Sequence, residues 1–286
     1  MESLATTTGL PTTVDTDSRM IALWLHGKAD NTQEAYSRDI AGFLATTGKS
    51  LGAVTLEDLQ RYTDALEGSV GTRRRHIAAV KSLLSFASKT GYIRYNVGAA
   101  ITPPPGKDEL AARILSEADT LGLIRMEPIE RNRVMLSLLY ATGIRVSELC
   151  ALTWADVQPR DDAGQVTVYG KGGRTRAILL PLSVWSDVVG LHDDTDTAND
   201  AVFKSTRTGK ALTRQQVHRI VSAAAERVGV DNVSAHWLRH AHASHALDRG
   251  CPIHLVQQTL GHSNLSTTGR YTHARPGDSS SLYLAC

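Results

Sequence analysis

Three consecutive prolines, Pro103 to Pro105 in ITPPPGK (Ile101–Lys107), set the strongest limit on how this chain can fold. None of them donates a backbone N–H and each fixes φ, so the chain is held extended there and no helix runs through. The 286 residues are enough for two independent cores, and the prolines mark where one ends. The expected organisation is a Thr- and Ser-rich disordered lead over 1–15, a helical unit over 16–100, a linker over 101–112, and a second unit over 113–286 that ends in a tail.

Apolar spacing in the first unit is helical. MIALWL opens it, and Asn31 is the expected N-cap of TQEAYSRDIAGFLATTG, where Tyr36, Ile40, Phe43 and Leu44 share a face and Gly48 stops the helix. A short helix follows Thr55. Thr72 is the expected cap of RRRHIAAVKSLLSFASKTG, with Ile77, Val80, Leu84 and Ala87 inward.

Beyond the prolines, Ser116 and Glu117 open a helix, RVMLSLLYATG stops at Gly143, and GIRVSELCALTWADV starts another with Arg145 near its first turn. QVTVYGKGGRTRAILLP alternates about a Gly-rich tip and reads as a β-hairpin with Lys171 at the turn. Thr213 caps the next helix. SAHWLRHAHASHALDRG, PIHLVQQTLG and STTGRYTH then read as three helices, the first two closed by Gly250 and Gly261. The fold class expected is mainly α with a small β-hairpin or sheet, in two domains.

Composition excludes several classes. Cys150, Cys251 and Cys286 form no C-x-x-C pair, so neither a disulfide framework nor a cysteine zinc site is indicated, and a reducing cytosol fits. No stretch approaches 18 uninterrupted apolar residues, so no membrane partner is expected. A net charge of +2 does not by itself identify a nucleic-acid binder. Its distribution says more: Gly68 to Lys107 holds seven Lys or Arg and no acid, whereas HDDTDTAND (His192–Asp200) holds four acids and no base.

Seven of the eleven histidines fall between His236 and His273. A metal site is one reading, because His236 and His240 stand at i, i+4 and His242 and His245 at i, i+3. Against it, no Glu follows the first His, no acid occurs in that helix before Asp248, and the Arg239 guanidinium shares the face of His236 and His240. For His242, His245, His254 and His273 the plainer reading is a histidine satisfied by hydrogen bonds. His236, Arg239, His262 and Tyr271 suit one reaction together. Attack on a phosphodiester builds charge on nonbridging oxygens, which a planar guanidinium matches with parallel donors. A tyrosine nucleophile, with a pKa near 10, needs a base or a cationic field, and the departing alkoxide needs an acid. Imidazoles and Lys171 are available for those tasks.

ATGIRVSEL, GKGGRTR, HWLRH, LGHS and TTGRYTH, in that order, resemble the signature blocks of the tyrosine recombinases (phage integrase family), most of all the Xer-like single-chain recombinases of bacteria. The resemblance is strong over Arg113–Pro276 and weaker over 16–100, as the family's helical core-binding (SAM-like) domain. It implies a catalytic set: Arg145 and Arg239 bind the scissile phosphate, Lys171 protonates the leaving 5′-hydroxyl, His236 assists proton transfer from the nucleophile, His262 hydrogen-bonds a phosphate oxygen and Tyr271 forms a 3′-phosphotyrosine. Glu148 is the expected structural support for Arg145. Ala241 departs from the Thr frequent at that position.

The resemblance implies site-specific DNA recombination through a Holliday junction, without metal, ATP or other cofactor. The partners would be double-stranded DNA bearing a specific site and other copies of the chain, a dimer per site and a tetramer on two sites. A cytoplasmic, nucleoid-associated location is expected. In the first unit, Arg73, Arg74, Arg75 and Lys81 form the expected DNA-binding helix face, with Tyr36 and Arg38 on another helix, and the two domains would clamp the duplex. A solvated basic helix would look the same. Leu282, Tyr283 and Leu284 are candidate anchors of a tail docking on a neighbour, with packing on its own domain as the alternative. Type IB topoisomerases and telomere resolvases share this chemistry, and a catalytically silent DNA-binding accessory protein is the reading from another class. The intact six-residue set argues against that last one.

Overall fold

The computed structural model describes residues 16–106, 110–170, 173–262 and 264–274. The chain divides into two compact units, 1–107 and 108–286.

The first unit is built from α1 (Asp17–Leu25), α2 (Asp30–Thr47), α3 (Leu56–Asp64) and α4 (Val70–Lys89). Each buries one stripe, so that Met20, Trp24, Ile40, Phe43, Leu59, Ile77, Leu83 and Leu84 form a shared core. Local signals place the ends. Thr16 accepts from Arg19 N, Thr55 and Asp58 form a reciprocal capping box, and Gly48 ends α2 at φ 62°. Two expected caps are corrected. The cap of α2 is Ala29, which has no side-chain cap bond, so Asn31 lies inside the first turn. The cap of α4 is Ser69, whose Oγ accepts from Thr72 N, so Thr72 too lies inside the first turn. Ile101 packs in this core, which draws the start of the proline segment into the first unit.

The second unit contains α5 (Glu117–Arg125), α6 (Glu130–Thr142), α7 (Val146–Ala151), α8 (Leu182–Val189), α9 (Arg214–Glu226), α10 (Ala235–Asp248), α11 (Ile253–Leu260) and α12 (Leu265–Ala274). Among the described residues its sheet has three antiparallel strands, β1 (Val157–Arg160), β2 (Ala163–Tyr169) and β3 (Thr175–Leu180), in the order β1-β2-β3. The expected hairpin is β2–β3, with Tyr169 opposite Thr175 and Gly164 opposite Leu180, and β1 adds an edge strand to it. Val166, Val168, Ile178 and Leu180 point inward, where α6 supplies Met135, Leu136, Leu138 and Leu139. Each fully buried aliphatic side chain contributes about 1.5–3 kcal/mol. Gly164 is required by close packing, since a Cβ there would stand 2.1 Å from the Trp185 ring. Helix α10 packs against α5, α6, α9, α11 and α12, so residues on its several faces reach different parts of the unit. No helix among the described residues is long and apolar enough to cross a membrane.

Candidate active site

Helix α6 stops at Gly143, whose left-handed φ of 60° turns the chain so that Arg145 becomes the N-cap of α7. One carboxylate then holds the cap. Glu148 accepts the Arg145 backbone N–H and its guanidinium, both at 2.8 Å. The same carboxylate receives Arg176 from β3 at 2.8 and 3.1 Å, and Arg176 Nε donates to the Thr259 carbonyl at 2.7 Å. Burial alone would raise the Glu148 pKa, but the bonds from Arg176 and Arg145 reverse that and hold the side chain ionised. Arg176 therefore joins the strand, the Arg145 cap and the α11 terminus.

Arg239 makes a second tie. It is 2% exposed, and its two Nη atoms donate to the carbonyls of Gly143 and Leu260. These carbonyls begin the turns that carry Arg145 and His262. Burial and the neighbouring Arg145 pull the Arg239 pKa down to about 10, which leaves it charged at neutral pH. Gly261 ends α11 at φ 64°, and His262 is fixed by backbone and side-chain bonds with Gln257 and by a 2.9 Å contact of Nδ1 with Thr268 Oγ1.

These ties surround a cleft of about 890 Å³ lined by Arg145, Gly170, Arg174, Arg176, Gln257 and His262. Among the described residues, three guanidiniums and one imidazole face it, and the acid beside them, Glu148, is already committed to two of the arginines. A neighbouring cleft of about 250 Å³ is lined by Arg145, Arg214 and His236. Such an arrangement can hold an anion. Burial, then Arg239 and Arg145, lowers the pKa of His236; the same causes bring His262 to about 4. Both imidazoles are neutral at pH 7.

Tyr271, on α12, is 5% exposed, and its hydroxyl lies 2.8 Å from His240 Nδ1. Burial raises the phenol pKa, against the opposing fields of Arg239 and Arg270. The structure thus brings Arg145, Glu148, Arg239 and His262 together, places His236 on the adjoining cleft, and seats Tyr271 on a histidine that was not among the expected site residues. Lys171 lies outside the described residues, as do the tail positions Leu282, Tyr283 and Leu284. Among the described residues no three His, Cys, Asp or Glu side chains converge as a metal site would need.

Two of the remaining histidines are satisfied by neighbours. His242 Nδ1 donates to the Tyr140 carbonyl at 2.8 Å; His245 bonds the Tyr140 hydroxyl and the Leu115 carbonyl at 2.9 and 3.0 Å. His254 is exposed, and the His273 side chain lies outside the described ones.

The expected DNA-binding face is less uniformly basic in space than in sequence. Asp39 from α2, 1% exposed, pairs with Arg75 and stands 3.3 Å from His76. Lys81 donates to the Ile101 carbonyl and Arg74 to that of Pro104, the latter at 3.3 Å. Tyr36 stacks on Trp24 with centroids 5.3 Å apart, and Arg38 pairs with Glu34 at 72% side-chain exposure. Arg73 is half-buried. Arg38, Arg74 and Arg75 are the exposed members of the six.

Sequence reading misses Arg176, Arg174 and Arg214, and weighs His240 only as a metal-ligand candidate beside His236. Arg176 carried a signal, since it alternates with Ile178 and Leu180 toward the inside of β3, where a cation requires a buried acid. His240 carried one too, at i+4 from His236.

The chain matches the model of the Phage integrase family over residues 109–277. It is 34% identical to the tyrosine recombinase XerC of Corynebacterium glutamicum, covering 86% of this chain and 82% of that protein. It is 36% identical to the tyrosine recombinase XerD of Pseudomonas aeruginosa, with coverages of 90% and 91%. Among solved structures, a lambda integrase (75–356) dimer bound to a COC′ core site superposes with a TM-score of 0.75 at 20% identity, covering 92% of this chain and 96% of that one. XerH bound to difH in a pre-cleavage complex gives 0.69 at 21% identity, with coverages of 94% and 83%.

Proposed function

Since the chain belongs to the phage integrase family and is a Xer-like tyrosine recombinase, we propose that it cleaves and rejoins DNA at a specific site with Tyr271 as nucleophile and Arg145 and Arg239 as phosphate ligands. The carrying observation is the tie of Arg239 to the Gly143 and Leu260 carbonyls, which joins the turns of Arg145 and His262 beside one cleft lined by both. Two of the five Arg239 N–H donors are used in that tie, so a phosphate bound by this residue, 2% exposed, would draw on the other three.

In this reading the scissile phosphate enters between Arg145 and His262, and the guanidinium fields favour charge on its nonbridging oxygens. The Tyr271 oxygen attacks phosphorus, a 3′-phosphotyrosine forms, and the 5′-oxygen leaves with a proton from Lys171. His236 stands beside Arg145 on the adjoining cleft, on the phosphate side. Because the phosphotyrosine keeps a phosphodiester-like bond, a second 5′-hydroxyl can attack it without ATP, and strand exchange is close to thermoneutral. Two sites, each holding a dimer, would exchange strands through a Holliday junction in a tetramer. Arg38, Arg74 and Arg75 would contribute phosphate contacts from the first unit.

The test is a nicked suicide substrate bearing the recombination site, incubated in EDTA and resolved for covalent protein–DNA adduct. An adduct is expected with the unaltered chain and none with Tyr271→Phe. An adduct in Tyr271→Phe, or strict dependence on a divalent ion, would overturn the proposal.

A further inference from the structure

Tyr271 does not meet His236, the imidazole that the family resemblance pairs with it. Its hydroxyl meets His240, one turn further along α10, at 2.8 Å from Nδ1, with ring centroids 5.6 Å apart. His236 and His240 are themselves edge-to-face, with centroids 4.5 Å apart at 73°. The two imidazoles therefore divide the surroundings between them. His236 lines the smaller cleft with Arg145 and Arg214, on the anion side, and His240 holds the phenol.

We infer that His240, and not His236, accepts the Tyr271 proton during DNA cleavage and returns it when the strand is rejoined. The inference rests on the reading of Tyr271 as nucleophile. As the Oη–P bond forms and the bond from phosphorus to the 5′-oxygen breaks, the Oη proton passes to His240 Nδ1. The leaving 5′-oxygen takes its proton from the general acid, Lys171 in the proposed function. Rejoining reverses each transfer, so atoms and charge balance over the cycle.

The surroundings of His240 explain how such a base would wait for its substrate. Facing it are His236 and Arg239 on its own helix, Arg270 and Tyr271 on α12, and Arg113 ahead of α5; no carboxylate is among these groups. Burial and these groups bring its pKa to about 4, and burial keeps the phenol protonated. In the neutral pair the phenol can donate to Nδ1, already aligned for transfer, while an imidazolium is opposed by three guanidiniums. A phosphodiester arriving in the neighbouring cleft supplies the missing negative charge and makes His240 more basic. The proton acceptor is thereby switched on by DNA.

Single-turnover adduct formation on the suicide substrate, with the full chain at saturating DNA, tests this. His240→Ala is expected to slow adduct formation by about 100-fold, the usual range for a lost general base, with DNA affinity changed less than about twofold. His240→Asn keeps a polar partner for the hydroxyl but cannot take a proton, so a similar loss there separates proton transfer from folding. Replacing Tyr271 by a difluorotyrosine, whose phenol ionises more readily, should recover most of the rate in both His240 variants and little of it in His236→Ala. Unchanged rates in the His240 variants, or fluorotyrosine rescue confined to His236→Ala, would overturn the inference alone. An adduct surviving Tyr271→Phe would overturn the nucleophile assignment beneath it.

Discussion

Glu148 and Arg176, on α7 and β3, form a two-bond ion pair of 2.8 and 3.1 Å whose carboxylate also holds the Arg145 cap. The carboxylate side chain is 4% exposed and that of Arg176 14%. Two guanidiniums that would repel each other across the anion cleft are kept in place by the one acid between them.

Removing that acid should therefore damage both stability and catalysis. Glu148→Ala is expected to lose about 3 kcal/mol, in the range for breaking a buried pair by removing one partner, and to reduce the adduct rate more than DNA affinity. Chemical denaturation with and without the compensating Arg176→Met change measures it. The double variant should be more stable than Glu148→Ala, since it no longer buries an uncompensated guanidinium.

Acid should destabilise the second unit before its carboxylates account for the loss. His240 and His262 ionise near 4 in the folded chain and near 6.5 when unfolded, so below 6.5 the unfolded chain binds more protons. Stability present above pH 6.5 is lost as pH falls toward 4. Urea midpoints should decline across that window, and His262→Gln should flatten the decline. DNA, by adding negative charge, should reverse part of it, seen as proton uptake on binding at about pH 5–6 by calorimetry in buffers of different ionisation enthalpy.

Gly143→Ala should be poorly tolerated although it adds one methyl group. The residue has φ +60°, and a Cβ would meet Leu260 Cδ2 at 2.6 Å and His242 at 2.8 Å. A non-glycine residue in that conformation costs about 1–2 kcal/mol before any clash. Because the Gly143 carbonyl also seats Arg239, the expected result is a lower melting temperature together with a slower adduct rate; Gly250→Ala, with open space around its Cβ position, should lower the melting temperature alone.

In the first unit, salt titration should sort the basic residues. Arg74→Ala, which removes an exposed guanidinium, should reduce the slope of log K against log salt by about 0.9 per lost phosphate contact. Lys81→Ala removes the donor to the Ile101 carbonyl, so its expected effect is a lower melting temperature with the slope unchanged. Binding isotherms across a series of salt concentrations distinguish the two.

Local chemistry was the most legible level of this fold. Helix ends at Gly48, Gly143 and Gly261 were readable because a positive φ selects glycine, and Thr55 and Thr213 because capping boxes leave a four-residue signature. Asn31 and Thr72 misled for related reasons. Ala29 begins its helix without a side-chain bond, and Ser69 stands three residues before Thr72, so either hydroxyl fits the pattern. Strand β1 was invisible because VQPR contains a proline and has no fully buried residue, as befits an edge. At the candidate site, residue types could be read from the blocks, but partnerships could not. Arg176 meets Glu148 across 28 residues and His240 meets Tyr271 across 31, and neither contact leaves a periodic trace. The acid-free stretch around Arg75 shows the same limit, since Asp39 reaches it from another helix.

The anchoring of Arg239 has a consequence for biosynthesis. One of its two carbonyl partners, Gly143, is made well before it and the other, Leu260, after it. A chain that stops short of Leu260 offers the guanidinium only the Gly143 half of its seat. Under the proposed role of Arg239 as a phosphate ligand, such a shortened chain would lack a fully seated guanidinium.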